Sequence, residues 1–196
     1  MANQNKSVSS TRIRALVECA LMVALSVVLD LIPMPKWPQG GSLSIAAVPI
    51  IFISYRHGIG WGLASGLVYS VVQMITGFYP PPSGTVLGFI GVVLLDYVLA
   101  FTAFGLADLF AKPFGKRKLI GYGVGAVAVN LIRFVCSFLS GCIIWQSYTP
   151  EGMEPWWYSL TYNGGYMVPN AVICGIIIVL LCTFVNPKTL RPMKNA

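Results

Sequence analysis

The chain has 196 residues and a mean hydropathy of +0.75; 56% of its residues are apolar and only 10% are charged. A soluble domain carries roughly 25% charged residues, so the composition excludes a soluble globular protein and predicts an all-α integral membrane protein. One helical crossing of the bilayer takes about 20 residues, so the chain can form five or six spans within a single domain.

Six apolar stretches predict the transmembrane helices. In chain order they are residues 15–32, 43–54, 58–77, 85–110, 119–145 and 162–185. The second stretch is short and contains Pro49, which predicts a half-length or kinked helix. The first is full length and is followed by charged residues and another span, so no cleavable signal peptide is predicted. We therefore expect one membrane domain, with a six-helix bundle at 14–186 and cytoplasmic tails at 1–13 and 187–196.

The distribution of basic residues predicts how these helices are oriented. Of the 13 Lys and Arg residues, 11 precede the first stretch, lie between the second and third or the fourth and fifth, or follow the sixth. By the positive-inside rule, these segments and both termini are cytoplasmic. The net charge of +7 is thus explained by membrane topology, and no nucleic-acid partner is expected.

Residues 141–163 (GCIIWQSYTPEGMEPWWYSLTYN) fall on the predicted outer face and contain three Trp and three Tyr. Flat rings beside amides, phenols and carboxylates suit the capture of a planar, polar small molecule at the membrane surface. An interfacial aromatic belt is the alternative. Trp145 and Tyr158 are the candidates for a binding pocket, while Trp156 and Trp157 fit the belt.

Asp96 lies near the middle of the fourth apolar stretch. A carboxylate at this depth is costly unless it meets a cation, a water-filled cavity or hydrogen-bond donors. Two interpretations stay open: Asp96 is a counter-ion or hydrogen-bond acceptor for a bound cationic ligand, or it forms a structural ion pair with Arg133 in the fifth stretch.

One side of the fifth stretch carries Arg133, Ser137 and Gly141, which are spaced by four residues, with Trp145 one turn further. Small residues below a Trp ring leave room for a flat ligand. They equally allow a neighbouring helix to pack closely, as is common in membranes. The spacing alone does not separate these alternatives.

Two further features are candidate contact sites. Ala20 and Ala24 lie one turn apart in the first stretch, where small residues allow close approach either of another helix of the bundle or of a partner subunit. The segment 33–42 (PMPKWPQGGS) is a Pro- and Gly-rich outer loop with Trp37 near its centre. It is either a lid over a cavity or a tight connection.

Catalytic and metal sites are not predicted. The chain has no phosphate-binding loop of the GxxxxGK[ST] type, and its single His, His57, lies on the cytoplasmic side. The five Cys residues occupy apolar stretches without a CxxC pair, so neither a disulfide, a metal site nor a cofactor is expected. We predict a non-catalytic protein, in which any ATP-driven work is done by other chains.

Three segments resemble the thiamin-specific S-components of energy-coupling factor (ECF) transporters. They are PQGGSLSIAAVPIIFISYRHG at 38–58, LLDYVLAFTAFGLAD at 94–108 and SGCIIWQSYTPEGMEPWWYSLTYNGGYMVPN at 140–170, and the similarity extends over residues 10–186. The resemblance implies a six-helix, multi-pass subunit of the bacterial plasma membrane that binds the vitamin at its outer side. It also implies association with a transmembrane coupling protein and two cytosolic ATPase subunits.

The resemblance also implies roles for individual residues. The expected ligand contacts are Tyr69, Asp96, Tyr97, Ser137, Gly141, Trp145, Tyr158 and Asn163, and the implied contacts with the coupling protein are Ala20 and Ala24. This chain has Ser137 where some members carry His, and Ser44 where some carry an acid. Asp96 is then the main anionic partner, and a ring stacked on Trp145 is the expected pyrimidine half of the ligand. A thiamin precursor such as hydroxymethylpyrimidine is the alternative substrate.

Overall fold

The computed structural model describes residues 2–38 and 40–191, with side chains from residue 11 onward. Within these ranges the chain forms six helices and no β-strand: α1 (Ala2–Asp30), α2 (Ala47–His57), α3 (Ile59–Gly77), α4 (Val86–Phe114), α5 (Lys118–Ile143) and α6 (Pro155–Phe184). A short 3₁₀ turn, Gln146–Tyr148, lies between α5 and α6. The prediction of an all-helical fold is confirmed for the described residues.

Four of these helices, α3 to α6, are long and apolar enough to cross a membrane. α2 has only 11 residues, which at 1.5 Å per residue gives about 16 Å, roughly half of the bilayer core. The half-length helix expected around Pro49 is therefore present. α1 has 29 residues and carries Glu18 and Asp30 in its apolar half.

The predicted boundaries differ from the observed ones at both ends of the chain. α1 begins at Ala2, so most of the segment expected to be an N-terminal tail continues the first helix. At the other end, α6 ends at Phe184, and the predicted tail at 187–196 is described only to residue 191. Residues 1, 39 and 192–196 lie outside the described part of the chain.

The core of the bundle is built around α2. Every residue from Ala47 to Tyr55 is buried, because α1, α3, α4 and α6 all pack against this short helix. Its sequence, AVPIIFISY, is apolar on all sides, as expected for a helix enclosed by other helices. The phenol of Tyr55 donates a hydrogen bond of 2.6 Å to the carbonyl of Tyr122 and so joins α2 to α5.

α4 departs from regular α-helical geometry in its middle. Val93–Leu99 form a π-helical segment and Ala103–Leu106 a 3₁₀ segment. π-Helical turns widen a helix and occur frequently at functional sites. Further along α4, a Cβ atom on Gly62 of α3 would lie 2.8 Å from the carbonyl oxygen of Gly105, so glycine is required where these two helices meet.

A charged cluster joins α1 to α2 at the end of the bundle where α2 stops. Glu18 accepts hydrogen bonds from Arg56 at 2.5 and 2.9 Å and lies 2.6 Å from His57 Nε2. Arg56 also donates to the carbonyl of Pro187 at 3.0 Å. At the opposite end of α2, the Ser44 hydroxyl donates to Asp30 at 2.9 Å. α1 and α2 are therefore antiparallel over this distance.

Candidate ligand-binding site

All six helices contribute to one partly open cavity of about 390 Å³. This volume falls within the range of about 300–1,000 Å³ that is usual for small-molecule sites. Its lining includes all eight residues predicted to contact a ligand, together with the predicted lid residue: Trp37, Tyr69, Asp96, Tyr97, Ser137, Gly141, Trp145, Tyr158 and Asn163. Residues more than 100 positions apart in the chain thus meet in one place.

Asp96 lies in the π-helical part of α4 and is held by two donors from the α5 side of the cavity. Ser140 Oγ donates to Asp96 Oδ2 at 2.6 Å, and Trp145 Nε1 donates to the same oxygen at 3.0 Å. Trp145 Nε1 also lies 3.1 Å from Ser140 Oγ. Because both donors act on Oδ2, the Oδ1 atom keeps its acceptor capacity for a ligand.

The direct ion pair between Asp96 and Arg133 does not form within 4 Å in the described part of the chain. The Arg133 guanidinium lies over the ring of Phe101 instead, 4.8 Å from its centroid, and 5.7 Å from that of Phe104. Its Nε has no hydrogen-bond partner among the described residues. Cation–π contact accounts for the placement of this charge within the bundle.

Aromatic rings surround Trp145 at the mouth of the cavity. The ring of Tyr148 is stacked on Trp145 at 5.9 Å and 22°, and that of Tyr79 lies 5.5 Å away. Tyr148 lies in the 3₁₀ turn beyond α5, where a hydrogen bond with Tyr79 raises the pKa of its phenol. The phenol of Tyr97 donates to the carbonyl of Gly77 at 2.9 Å and accepts from the Tyr79 amide at 3.0 Å. Tyr97 therefore also positions the loop after α3.

Asn163 is already bonded to protein groups on both sides of its amide. Its Nδ2 donates to the carbonyl of Ser159 at 3.0 Å, and its Oδ1 accepts from the phenol of Tyr166 at 3.0 Å. Ser159 Oγ in turn donates to the Phe138 carbonyl of α5 at 2.8 Å. Asn163 therefore links the packing of α5 and α6 to the cavity wall.

Gly141 lines the cavity, but its missing side chain is required by helix packing. A Cβ atom at this position would collide with the Ser159 hydroxyl and lie 2.8 Å from Ser159 Cβ. The sequence left two explanations for the small residues on this side of α5, room for a flat ligand or close helix packing. At Gly141, close packing is the explanation. Ser137, one turn earlier, is buried and faces the same cavity.

The first loop closes the cavity from the side of α6. The Trp37 ring lies 5.6 Å from that of Tyr166, and the carbonyls of Gly40 and Ser42 accept hydrogen bonds of 2.8 and 2.9 Å from Tyr162 and Asn170. These contacts place Trp37 in the lining of the cavity. Whether the loop is a lid or a tight connection is not decided by them, and the lid stays a prediction.

Asp30 is a cavity residue that sequence reasoning did not select as a site residue. It is the last residue of α1 and lines the cavity with Ser44 and Gln73. The available signal was an acid in the final turn of an apolar stretch, which marks an intramembrane carboxylate near the membrane surface.

The other predicted features lie outside the cavity. Trp156 and Trp157 are 53% and 47% exposed and do not line it, which agrees with their assignment to an aromatic belt. Ala20 and Ala24 lie on the exposed side of α1 and are free of the bundle core. In the described residues, no group of three His, Cys, Asp or Glu side chains is arranged to hold a metal ion.

The fold is that of a helical membrane protein whose helices surround one cavity lined by aromatic and polar side chains. The chain belongs to the family described as thiamine transporter protein (Thia_YuaJ), whose model matches residues 16–190. The predicted resemblance to this family is therefore confirmed. Members of the family are transporters, so the chain is not an enzyme.

Relatives and a solved structure agree with this assignment. The chain is 39% identical to "Thiamine transporter ThiT" of Bacillus subtilis, over 94% of this chain and 98% of that one. It is 26% identical to the protein of the same name from Lacticaseibacillus paracasei, over 86% of each chain. A structure of ThiT from Listeria monocytogenes superposes with a TM-score of 0.74 at 22% identity, covering 93% of this chain and 100% of that one. The structural match shows that the fold is shared.

Proposed function

We propose that this chain is the substrate-binding S-component of an ECF-type transporter and captures thiamin at the outer face of the bacterial plasma membrane. The names of its relatives support thiamin as the substrate. In this proposal, a transmembrane coupling protein and two cytosolic ATPase subunits drive uptake, since nothing in the sequence predicts nucleotide hydrolysis by this chain.

The observation that carries the proposal is the Asp96–Trp145 pair within the cavity. Thiamin contains an aminopyrimidine ring, whose N–H groups match the available Oδ1 of Asp96, while Trp145, Tyr79 and Tyr148 offer flat surfaces. A charge-assisted hydrogen bond contributes about 1.5–3 kcal/mol and a stacked ring about 0.5–1.5 kcal/mol. Several such contacts in one cavity support tight binding.

We also propose six spans with both termini cytoplasmic. The antiparallel arrangement of α1 and α2 supports this topology, because Asp30 and Ser44 meet at the cavity end and Glu18 and Arg56 meet at the other. In this topology, the short α2 and the segment that precedes it together cross the membrane. Reporter fusions at the C-terminus and after Glu151 test the topology: cytoplasmic and external signals, respectively, are expected, and a reversed pattern would contradict it.

The proposed surface for the coupling protein is the exposed side of α1 that carries Ala20 and Ala24. Large apolar side chains flank the pair, among them Leu16, Leu21 and Val28, all exposed. A strip of small residues between large ones allows another helix to approach closely.

Calorimetry on the purified protein tests the substrate assignment. Thiamin, hydroxymethylpyrimidine and riboflavin are titrated in turn, with Trp157→Ala as a control variant because Trp157 is exposed and lies outside the cavity. Tight binding of thiamin alone is the expected result. Tight binding of hydroxymethylpyrimidine without thiamin would identify a precursor transporter, and binding of neither would refute the proposal.

A further inference from the structure

Asp30 forms a second acidic site in the cavity, separate from the site around Asp96. Its Oδ1 accepts a hydrogen bond from Ser44 Oγ at 2.9 Å, and its Oδ2 accepts one from Gln73 Nε2 at 2.8 Å. The Gln73 amide also lies 2.6 Å from the phenol oxygen of Tyr69, to which it donates. The two carboxylates therefore belong to hydrogen-bond clusters that have no residue in common.

The surrounding protein holds the Asp30 site in place before any ligand arrives. Ser44 is itself fixed, because its backbone N–H donates to Asn170 Oδ1 at 2.9 Å. Asn170 Nδ2 donates back to the carbonyl of Ser42 at 2.9 Å. The carboxylate at the end of α1 is thus oriented by groups from α3, α6 and the segment before α2. A site ordered in advance loses less free energy when it binds a ligand.

The charge of Asp30 is not paired within the protein. In the part of the chain that the structure describes, no Lys, Arg or His nitrogen lies within 4 Å of this carboxylate. Lys36 and Arg133 also line the cavity, but Lys36 is exposed at its rim and Arg133 lies against the ring of Phe101. The described partners of Asp30 are neutral donors, so its negative charge is available to a cation in the cavity.

We infer that Asp30 is the counter-ion for the permanently charged thiazolium ring of thiamin, while Asp96 serves the neutral pyrimidine. This inference rests on the proposed function. A quaternary thiazolium nitrogen has no N–H, so a protein recognises it through charge and ring contact rather than through a hydrogen bond. The aminopyrimidine has N–H donors, which suit the open Oδ1 of Asp96 beside the Trp145 ring. Asp30 thereby selects a cationic ligand over a neutral one of the same shape.

Calorimetry with a charged and an uncharged ligand tests this role. The wild type and Asp30→Asn are titrated with thiamin and with 3-deazathiamin, in which carbon replaces the quaternary nitrogen. Asp30→Asn should weaken thiamin binding about tenfold or more, the effect of losing a charged partner, and leave 3-deazathiamin binding unchanged. Equal weakening of both ligands would show that Asp30 only holds the helices together, and unchanged thiamin binding would equally overturn the inference.

Two further variants separate the effect of the negative charge from the effect of helix packing. Because Ser44 Oγ and Asp30 Oδ1 are 2.9 Å apart, the exchange Asp30→Ser/Ser44→Asp keeps an acid in the site and should restore preference for thiamin. Glu151→Gln removes a charge from an exposed position outside the cavity and should change neither affinity. Failure of the exchange to restore the preference would count against the inference. A wild-type protein that does not bind thiamin would overturn the proposed function, and the role of Asp30 with it.

Discussion

Gly141→Ala tests whether α5 and α6 are held in contact by the absence of a side chain at this position. The added methyl would collide with the Ser159 hydroxyl and lie 2.8 Å from Ser159 Cβ. Ordinary van der Waals contact begins at 3.4 Å, so even with the hydroxyl rotated away the two Cβ atoms would have to separate by about 0.6 Å. Overpacking of this kind costs about 1–3 kcal/mol, and weakening of the hydrogen bond from Ser159 to the Phe138 carbonyl costs about 1 kcal/mol more.

We therefore expect Gly141→Ala to lower the free energy of unfolding by about 2–4 kcal/mol. Thiamin affinity should also fall, because Asn163 is bonded to Ser159 and would move with it. Unfolding is followed in detergent by labelling of the buried Cys174 and Cys182 with a thiol-reactive dye, and binding by calorimetry.

A double variant that exchanges the side-chain sizes of the two contacting residues provides the control for this experiment. Gly141→Ala/Ser159→Gly removes the colliding atoms and should recover part of the lost stability, with Ser159→Gly alone as the reference. A Gly141→Ala protein as stable as the wild type would refute the packing argument.

The other predictions concern binding, coupling and the core. Asp96→Asn and Trp145→Ala should each weaken thiamin binding at least about tenfold, or about 1.4 kcal/mol, in calorimetry; unchanged affinity in both would place the pocket elsewhere. Ala24→Trp should leave binding intact and abolish thiamin uptake by cells, whereas normal uptake would remove this residue from the partner surface. Tyr55→Phe should lower stability by about 1 kcal/mol in thermal unfolding without changing affinity, since the buried phenol loses its bond to the Tyr122 carbonyl; wild-type stability would contradict that contribution.

The fold was predictable where hydropathy alone identifies a helix. The stretches that became α3, α4 and α5 were located to within four residues, and Pro49 correctly indicated a short second helix. α6 begins at Pro155, seven residues before the predicted start of the sixth stretch. The apolar stretch that predicted α1 begins at Ala15, because charged residues precede it, whereas the helix itself begins at Ala2. The part of a helix that extends beyond its apolar residues gives no hydropathy signal.

The sequence predicted many of the residues that line the cavity, but it did not predict how their side chains contact one another. Asp96 and Trp145 were both selected, and the structure joins them through a hydrogen bond of 3.0 Å. The ion pair considered for Asp96 and Arg133 is absent within the described residues because the guanidinium lies over Phe101. Depth along a helix can be read from the sequence, but the direction in which a side chain points depends on the rotation of that helix in the bundle.

The sequence by itself determined the membrane class, the order of the helices and the concentration of aromatic residues near the end of α5. Hydropathy and charge decide these properties locally, residue by residue. Only the tertiary structure decided that Asp30 meets Ser44 and Gln73 in the cavity, and that Gly141 serves the contact with Ser159. Both depend on how closely and at what rotation helices distant in the chain approach each other, which is fixed by packing across the whole bundle.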